Sequence, residues 1–194
     1  MIAYLEGLLT YKSPALVHLD IHGLGYEVQI SLNTYSRIQH LDRCKLHTYL
    51  LIKEDAHTLF GFFEESEKLI FLQLISVSGI GATTARMMLS SLHPEEIQRA
   101  ILQENDQLLE RIKGIGSKSA KRIILELKDK MLKQKDNLQI STTVNNTQEN
   151  DALNALIALG VSRNAAELAV GKVLKAESQV PDLEQLIKMA LRNL

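Results

Sequence analysis

Residues 74–86 read LISVSGIGATTAR, and residues 109–121 read LERIKGIGSKSAK. At an offset of 35 residues, Leu74 matches Leu109, Val77 matches Ile112, Gly79-Ile80-Gly81 matches Gly114-Ile115-Gly116, Ala85 matches Ala120 and Arg86 matches Lys121. In each copy a short helical pattern runs into Gly-Ile-Gly and a second helix starts at once, which is a helix–hairpin–helix repeat. Two glycines permit a tight turn with φ values closed to other residues, and they let backbone N–H groups approach another molecule. Because those N–H groups lie at a helix N-terminus, they are unsatisfied donors at the positive end of the dipole, which suits a phosphate. The isoleucine between the glycines packs into the hairpin. This reading selects Gly79, Ile80, Gly81, Ala82 and Arg86 in the first copy, and Gly114, Ile115, Gly116, Ser117, Lys118, Lys121 and Arg122 in the second. Such contacts touch phosphates and carry no base information.

Charge points the same way once it is resolved along the chain. The 194 residues hold 22 Lys plus Arg against 23 Asp plus Glu, a net charge of -1, so nucleic-acid binding has to come from a local patch. Residues 64–110 hold 3 basic and 8 acidic side chains, whereas residues 111–135 hold 9 basic and 2 acidic ones. The second copy of the repeat lies inside that basic stripe. The first offers Thr83 and Thr84 after its turn, with Arg86 as its nearest cation, so it contributes backbone amides more than charge.

Before the repeat, residues 1–63 show alternating runs at 2–6, 16–21, 26–30, 45–52 and 57–62. Period two with β-branched and aromatic content predicts strands, and Gly7, Gly23, Gly25 and Gly61 punctuate them as bulges and bends do. About five strands in so short a span predict a small closed barrel of the OB type. From Glu64 the period becomes helical, and residues 64–133 form an all-α tandem-hairpin domain, with Pro94 as a first-turn proline and Glu126 and Lys130 as an i, i+4 pair. Residues 134–149, QKDNLQISTTVNNTQE, are too polar to bury a core and read as a flexible linker. Residues 150–194 then predict three short helices: an apolar stripe ended by Gly160, a helix capped by Ser162, and a helix opened by Asp182. The fold class is α+β, a barrel followed by two helical modules.

Other function classes find little support. The single cysteine, Cys44, excludes an internal disulfide framework, and the six His and one Cys lack the paired spacings of zinc sites. No cofactor is expected. No Gly-x-x-x-x-Gly-Lys-Ser/Thr stretch occurs, so ATP hydrolysis by this chain is not expected. Clustered Glu64, Glu65 and Glu67 at a helix start serve the helix dipole better than Mg2+. The opening MIAYLEG has no basic leader or apolar core, and no stretch approaches the roughly 20 apolar residues of a membrane span, so a soluble intracellular protein is expected.

The MIAYLEG start, the Lys53-Glu54-Asp55-Ala56 hairpin before Leu59-Phe60-Gly61-Phe62, the paired Gly-Ile-Gly turns, the polar linker and the terminal helical module together resemble the RuvA family of bacterial Holliday-junction branch-migration subunits. The resemblance covers essentially the whole chain. It implies a homotetramer or octamer that holds a four-way DNA junction open and recruits the hexameric ATPase RuvB, with the resolvase RuvC in the wider complex. It also implies a cytoplasmic, nucleoid-associated location and a UBA-like third module. By the same resemblance, Glu54 and Asp55 form an acidic pin at the tetramer centre, where two carboxylates at a hairpin tip repel nearby phosphates. The apolar patch for RuvB corresponds to Leu156, Leu159 and Val161, although Leu156 and Leu159 serve equally as core residues of a three-helix bundle. The sequence departs from the family where lysine is common in relatives, carrying Ala82-Thr83 after the first hairpin and Ser117 after the second, and it has Val161 where relatives often carry tyrosine.

Two alternatives stand beside this reading. A helix–hairpin–helix glycosylase or nuclease would place a catalytic Asp about twenty residues past a hairpin, where Asp136 lies, but a polar linker offers no pocket to orient it. A protein-only adaptor, with structural hairpins and a partner-binding third module, predicts no salt-sensitive DNA binding.

Overall fold

The computed structural model of the chain describes residues 1–139, 144–176 and 181–194. Two compact units are formed, 1–132 and 133–194.

The first unit opens with a closed five-stranded barrel: β1 (Tyr4–Ser13), β2 (Leu16–Ile21), β3 (Leu24–Ile30), β4 (Arg43–Ile52) and β5 (His57–Phe62), in the order β1-β2-β3-β5-β4. All pairings are antiparallel except β3 with β5. Alternation decides which side chains fill the barrel: Val17, Leu19, Val28, Ile30 and Leu46 point inward and are buried. Closure depends on two glycines, because a Cβ on Gly7 would lie 2.2 Å from the Asp20 carbonyl oxygen and one on Gly61 would lie 2.5 Å from Val28 Cγ1. Gly25 departs from the expectation of a bend, since it pairs in register with Asp20 and has open space around it. The register shift in β1 falls instead between Leu9 and Tyr11, and it lets a 10-residue strand pair with β2 and β4 in turn.

A short helix, α1 (Leu32–Ile38), joins β3 to β4 and was not foreseen from the sequence. Leu32, Tyr35 and Ile38 recur at helical spacing, but across only seven residues, too short a stripe to stand out between two strands. Ser31 caps it, its hydroxyl accepting from Thr34 N at 3.0 Å.

Five helices complete the unit: α2 (Glu65–Ile75), α3 (Ala82–Ser91), α4 (Pro94–Leu102), α5 (Asp106–Glu110) and α6 (Ser117–Gln139), the last continuing beyond residue 132. Pro94 occupies the first turn of α4, with Glu96 accepting from His93 N at 2.8 Å. The barrel interior forms one core, and a second core joins the helices to strands β4 and β5. Phe71 of α2 meets Tyr49 of β4 and Phe60 and Phe62 of β5 at ring-centroid distances of 5.6, 5.1 and 4.9 Å. Burying each such ring stabilises by about 1.5–3 kcal/mol, so this cluster fixes the helical domain onto the barrel.

Polar contacts reinforce the joint. Buried Glu67 of α2 accepts hydrogen bonds from the hydroxyls of Ser31 and Thr34, the latter at 2.7 Å, while Thr34 Oγ1 accepts from Phe63 N at 3.0 Å. Asn33 Nδ2 donates to Leu92 O at 3.0 Å, and Arg37 pairs with Glu64. Glu67 and Glu64 thus face different partners, and Glu65 with Glu67 occupies the first turn of α2, as the dipole reading expects.

The second unit carries α7 (Val144–Ala158), α8 (Arg163–Ala176) and α9 (Leu183–Arg192) around Ala152, Leu156, Ala166, Ala169, Val170, Val173, Leu186 and Ala190. Gly160, at φ 93°, ends the first of these helices, and the Asp182 carboxylate caps the last by accepting from Gln185 N at 2.8 Å. The stretch 134–149 differs from the expected linker at both ends. Helix α6 continues to Gln139 and α7 begins at Val144, so helical backbone covers 134–139 and 144–149, while 140–143 fall outside the described residues. The reason is local. Lys, Gln and Leu are good helix formers and the stretch holds no Gly or Pro, so low apolar content removes a core without removing helix propensity.

Candidate nucleic-acid interface

The two Gly-Ile-Gly turns are built bond for bond alike. Val77 N donates to Leu74 O and Ile80 N to Val77 O, at 3.1 and 3.0 Å, and Ile112 N to Leu109 O and Ile115 N to Ile112 O repeat those distances. The helices that follow begin with Ala85 N to Gly81 O and Ala120 N to Gly116 O, both 2.9 Å. Ile80, Ile115, Ala85 and Ala120 are all buried, so the matched apolar residues anchor both turns to one core. N–H groups ahead of Ala85 have no acceptor within α3, and no side chain caps that helix.

The glycines divide their work differently from the expectation. Only the first of each pair takes a left-handed backbone, Gly79 at φ 88° and Gly114 at φ 94°. Gly81 is extended, at φ -85° and ψ 166°, and neither it nor Gly116 has a left-handed φ. A Cβ at either would meet nothing within 4 Å. The fold therefore requires Gly79 and Gly114 and leaves Gly81 and Gly116 bare toward the outside.

Cations are distributed unevenly. Lys118 and Lys121 are exposed within the first five residues of α6. Arg122, also exposed, donates through Nη1 to Ser78 O of the first turn at 3.2 Å. Arg86 behaves otherwise than the sequence suggests: it is half-buried and donates through Nη1 to Ala15 O at 3.1 Å, in the β1–β2 connection. Burial lowers its guanidinium pKa. This arginine links hairpin domain to barrel.

Glu54 and Asp55 sit exposed at the β4–β5 tip, in a turn closed by Lys53 N donating to Ala56 O at 2.9 Å. A groove of about 310 Å³ runs between that hairpin and the first Gly-Ile-Gly turn, lined by Tyr49, Leu51 and Lys53 on one side and by Ile80, Gly81 and Thr83 on the other.

In the second unit, the three patch residues separate. Leu156 is fully buried in the bundle core, which takes it out of any contact surface, because its position on α7 faces α8 and α9. Leu159 is 65% exposed and Val161 is half-buried. Leu168 on α8, 68% exposed, is a further apolar surface residue that the sequence reading missed, because a helical leucine counts as core by default.

Little else offers reactive chemistry. Among the described residues no group of three or more His, Cys, Asp or Glu is placed to hold a metal ion. Burial pushes the Cys44 thiol up to about 11, only partly opposed by Lys12, so it is no thiolate nucleophile at neutral pH. Asp136 lies within the helical backbone of α6. No helix among the described residues is long and apolar enough to cross a membrane.

A five-stranded closed barrel fused to two matched turns of this kind defines a tandem helix–hairpin–helix protein. Comparison with known proteins agrees, part by part. Residues 1–61 match the RuvA N terminal domain, residues 71–129 the SAM-like helix-hairpin-helix tandem, and residues 147–194 the RuvA C-terminal domain. Proteins described as Holliday junction branch migration complex subunit RuvA are similar over the full length: 47% identical in Cytophaga hutchinsonii, over 99% of both chains, and 46% in Christiangramia forsetii and 49% in Flavobacterium psychrophilum, over 100% of both. The chain belongs to the RuvA family.

Proposed function

We propose that this protein binds four-way DNA junctions without regard to base sequence and serves as the junction-holding subunit of a branch-migration complex. The observation that carries the reading is the pair of turns with matching hydrogen bonds, each presenting an open glycine at a helix start, with Lys118 and Lys121 exposed at the second. Backbone amides and lysines recognise phosphates alone, so selectivity comes from the shape that places phosphates at both turns.

The phosphate contacts are made by Gly79 to Ala82 and by Gly114 to Ser117, supported by Lys118, Lys121 and the remaining donors of Arg122. Arg86 acts from behind as a strut. Four copies of the chain bring their Glu54–Asp55 tips together at the crossover, where the carboxylates repel phosphate and keep strands apart. Residues 1–63 and 64–133 carry junction binding, and residues 150–194 recruit a RuvB-type motor through Leu159 and Val161. RuvC joins the wider complex, ATP hydrolysis resides in the motor, and this chain is a non-catalytic, cytoplasmic subunit working without a cofactor.

Titration of a synthetic junction across salt concentrations tests the reading. Log affinity falls linearly with log salt, by about 0.9 per neutralised phosphate, and Lys118→Glu with Lys121→Glu weakens binding and flattens that slope. Salt-independent binding, or an unchanged slope in the double variant, contradicts the assignment.

A further inference from the structure

The two hairpins match in backbone but not in charge. At the 35-residue offset, Lys118 of the second corresponds to Thr83 of the first, and Lys121 corresponds to Arg86. The first hairpin thus has no lysine of its own at these positions, and its arginine is turned to Ala15 O. Two cations from elsewhere in the chain stand beside it: Arg122, whose Nη1 donates to Ser78 O at 3.2 Å, and Lys53. Lys53 lines the same groove of about 310 Å³ as Gly81, Ala82 and Thr83, coming from the β4–β5 turn on the opposite wall. Lys53 is exposed and, among the described residues, no carboxylate lies within ion-pair distance of it.

From this geometry we infer that Lys53 is a phosphate-binding cation of the first hairpin, supplied by the barrel and facing Gly81 where Arg122 holds Ser78, and that it is a determinant of junction selectivity. The inference rests on the proposed function and adds a division of labour to it. Lys53 immediately precedes Glu54, so a phosphate held between Lys53 and the open Gly81 backbone lies next to the acidic tip, where the strands of a junction cross. The second hairpin carries its lysines on α6 and serves the arm of duplex beyond. A barrel cation and a hairpin amide on facing walls also make this contact depend on the barrel–helix joint, which the Phe71 cluster holds fixed. A bent or crossed backbone can enter such a two-walled groove at the tip, and a straight duplex engages the second hairpin without it.

The test compares Lys53→Ala, Lys53→Ala with Thr83→Lys, and Lys121→Ala in the full chain, each titrated against a synthetic four-way junction and a linear duplex of the same sequence. For Lys53→Ala, severalfold weaker junction binding is expected, with a salt slope shallower by about 0.9 per chain engaged and little change on duplex, so the junction-to-duplex ratio falls. Lys121→Ala weakens both DNAs together. Thr83→Lys returns a cation to the groove from its other wall and restores the ratio. Unchanged affinity and slope in Lys53→Ala overturn the inference while leaving the proposed function standing. A loss that Thr83→Lys does not restore also overturns it, since the effect is then a change in charge at the Glu54–Asp55 tip. Absence of junction preference in the unmodified protein overturns both.

Discussion

Arg122 Nη1 lies 3.2 Å from Ser78 O, so the helix leaving the second hairpin holds the turn of the first. If the two turns bind phosphate as proposed, they gain from such a link, because their separation is set before DNA arrives and little ordering remains to be done on binding. Arg122 therefore has a positioning role beyond its charge. Arg122→Lys keeps the charge but lacks the planar fork that reaches Ser78 O with donors left over. Junction affinity in Arg122→Lys is expected to fall nearly as far as in Arg122→Ala, whereas Lys118→Arg leaves it unchanged; full retention in Arg122→Lys, measured by titration, reduces Arg122 to a simple cation.

The glycines separate stability from binding. Gly79→Ala and Gly114→Ala force a Cβ into a left-handed backbone and cost about 1–2 kcal/mol each, visible as a lowered denaturation midpoint. Gly81→Ala meets no atom within 4 Å and has an ordinary φ, so stability stays within about 0.5 kcal/mol. Its effect falls on DNA, where the methyl group stands between backbone and phosphate. Equal loss of stability in Gly79→Ala and Gly81→Ala would falsify this division.

Glu67 makes the barrel–helix joint sensitive to pH. Burial raises its pKa, opposed by the Ser31 and Thr34 hydroxyls, with Glu64 raising it further and His93 lowering it. A raised pKa means the native state prefers the protonated carboxyl. Its stabilisation is fully present below the unfolded value of about 4.3 and is lost as pH rises through the folded value. Glu67→Gln, which mimics the neutral acid, should gain stability relative to the unmodified protein as pH goes from 4.5 to 8 in denaturant titrations. Parallel curves across that range would refute the assignment. Thr34→Val removes a donor to Glu67 and the acceptor of Phe63 N, and it destabilises by about 1–3 kcal/mol at pH 7.

In the C-terminal bundle, burial sorts the leucines. Leu156→Ala empties core volume and costs about 2–5 kcal/mol, while Leu159→Ala leaves the bundle as stable as before. Motor recruitment sorts them the other way once folding is accounted for. Junction-dependent ATPase stimulation of a RuvB-type partner falls in Leu159→Ala with no change in melting; stimulation retained in that variant removes Leu159 from the contact.

Much of this was legible in the sequence because periodicity is local. The inward alternation of Val17, Leu19, Val28 and Ile30 and the duplicated Leu-x-x-Val/Ile-x-Gly-Ile-Gly each announce an element within a dozen residues. What escaped reading depends on contacts between distant residues. Helix α1 is too short for a stripe and is held by Ser31, Thr34 and Glu67, which lie 33 and 36 residues apart. The repeat aligns Arg86 with Lys121 and so predicts a binding cation, but Ala15, 71 residues away, takes its guanidinium. Lys53 escapes for the same reason: nothing near it in the chain mentions a glycine turn, and only the packing of the helices against the barrel brings it to one.

Recognition of DNA shape through phosphates shows itself in competition between DNAs of equal sequence and different form. A labelled four-way junction bound by the full chain is challenged with unlabelled linear duplex of identical sequence, at two salt concentrations. Shape-selective recognition predicts that a large excess of duplex is needed to displace the junction at both, with the absolute affinity of each DNA falling as salt rises. Displacement by an equal amount of duplex would contradict shape-selective recognition and leave the paired hairpins as a general clamp on DNA.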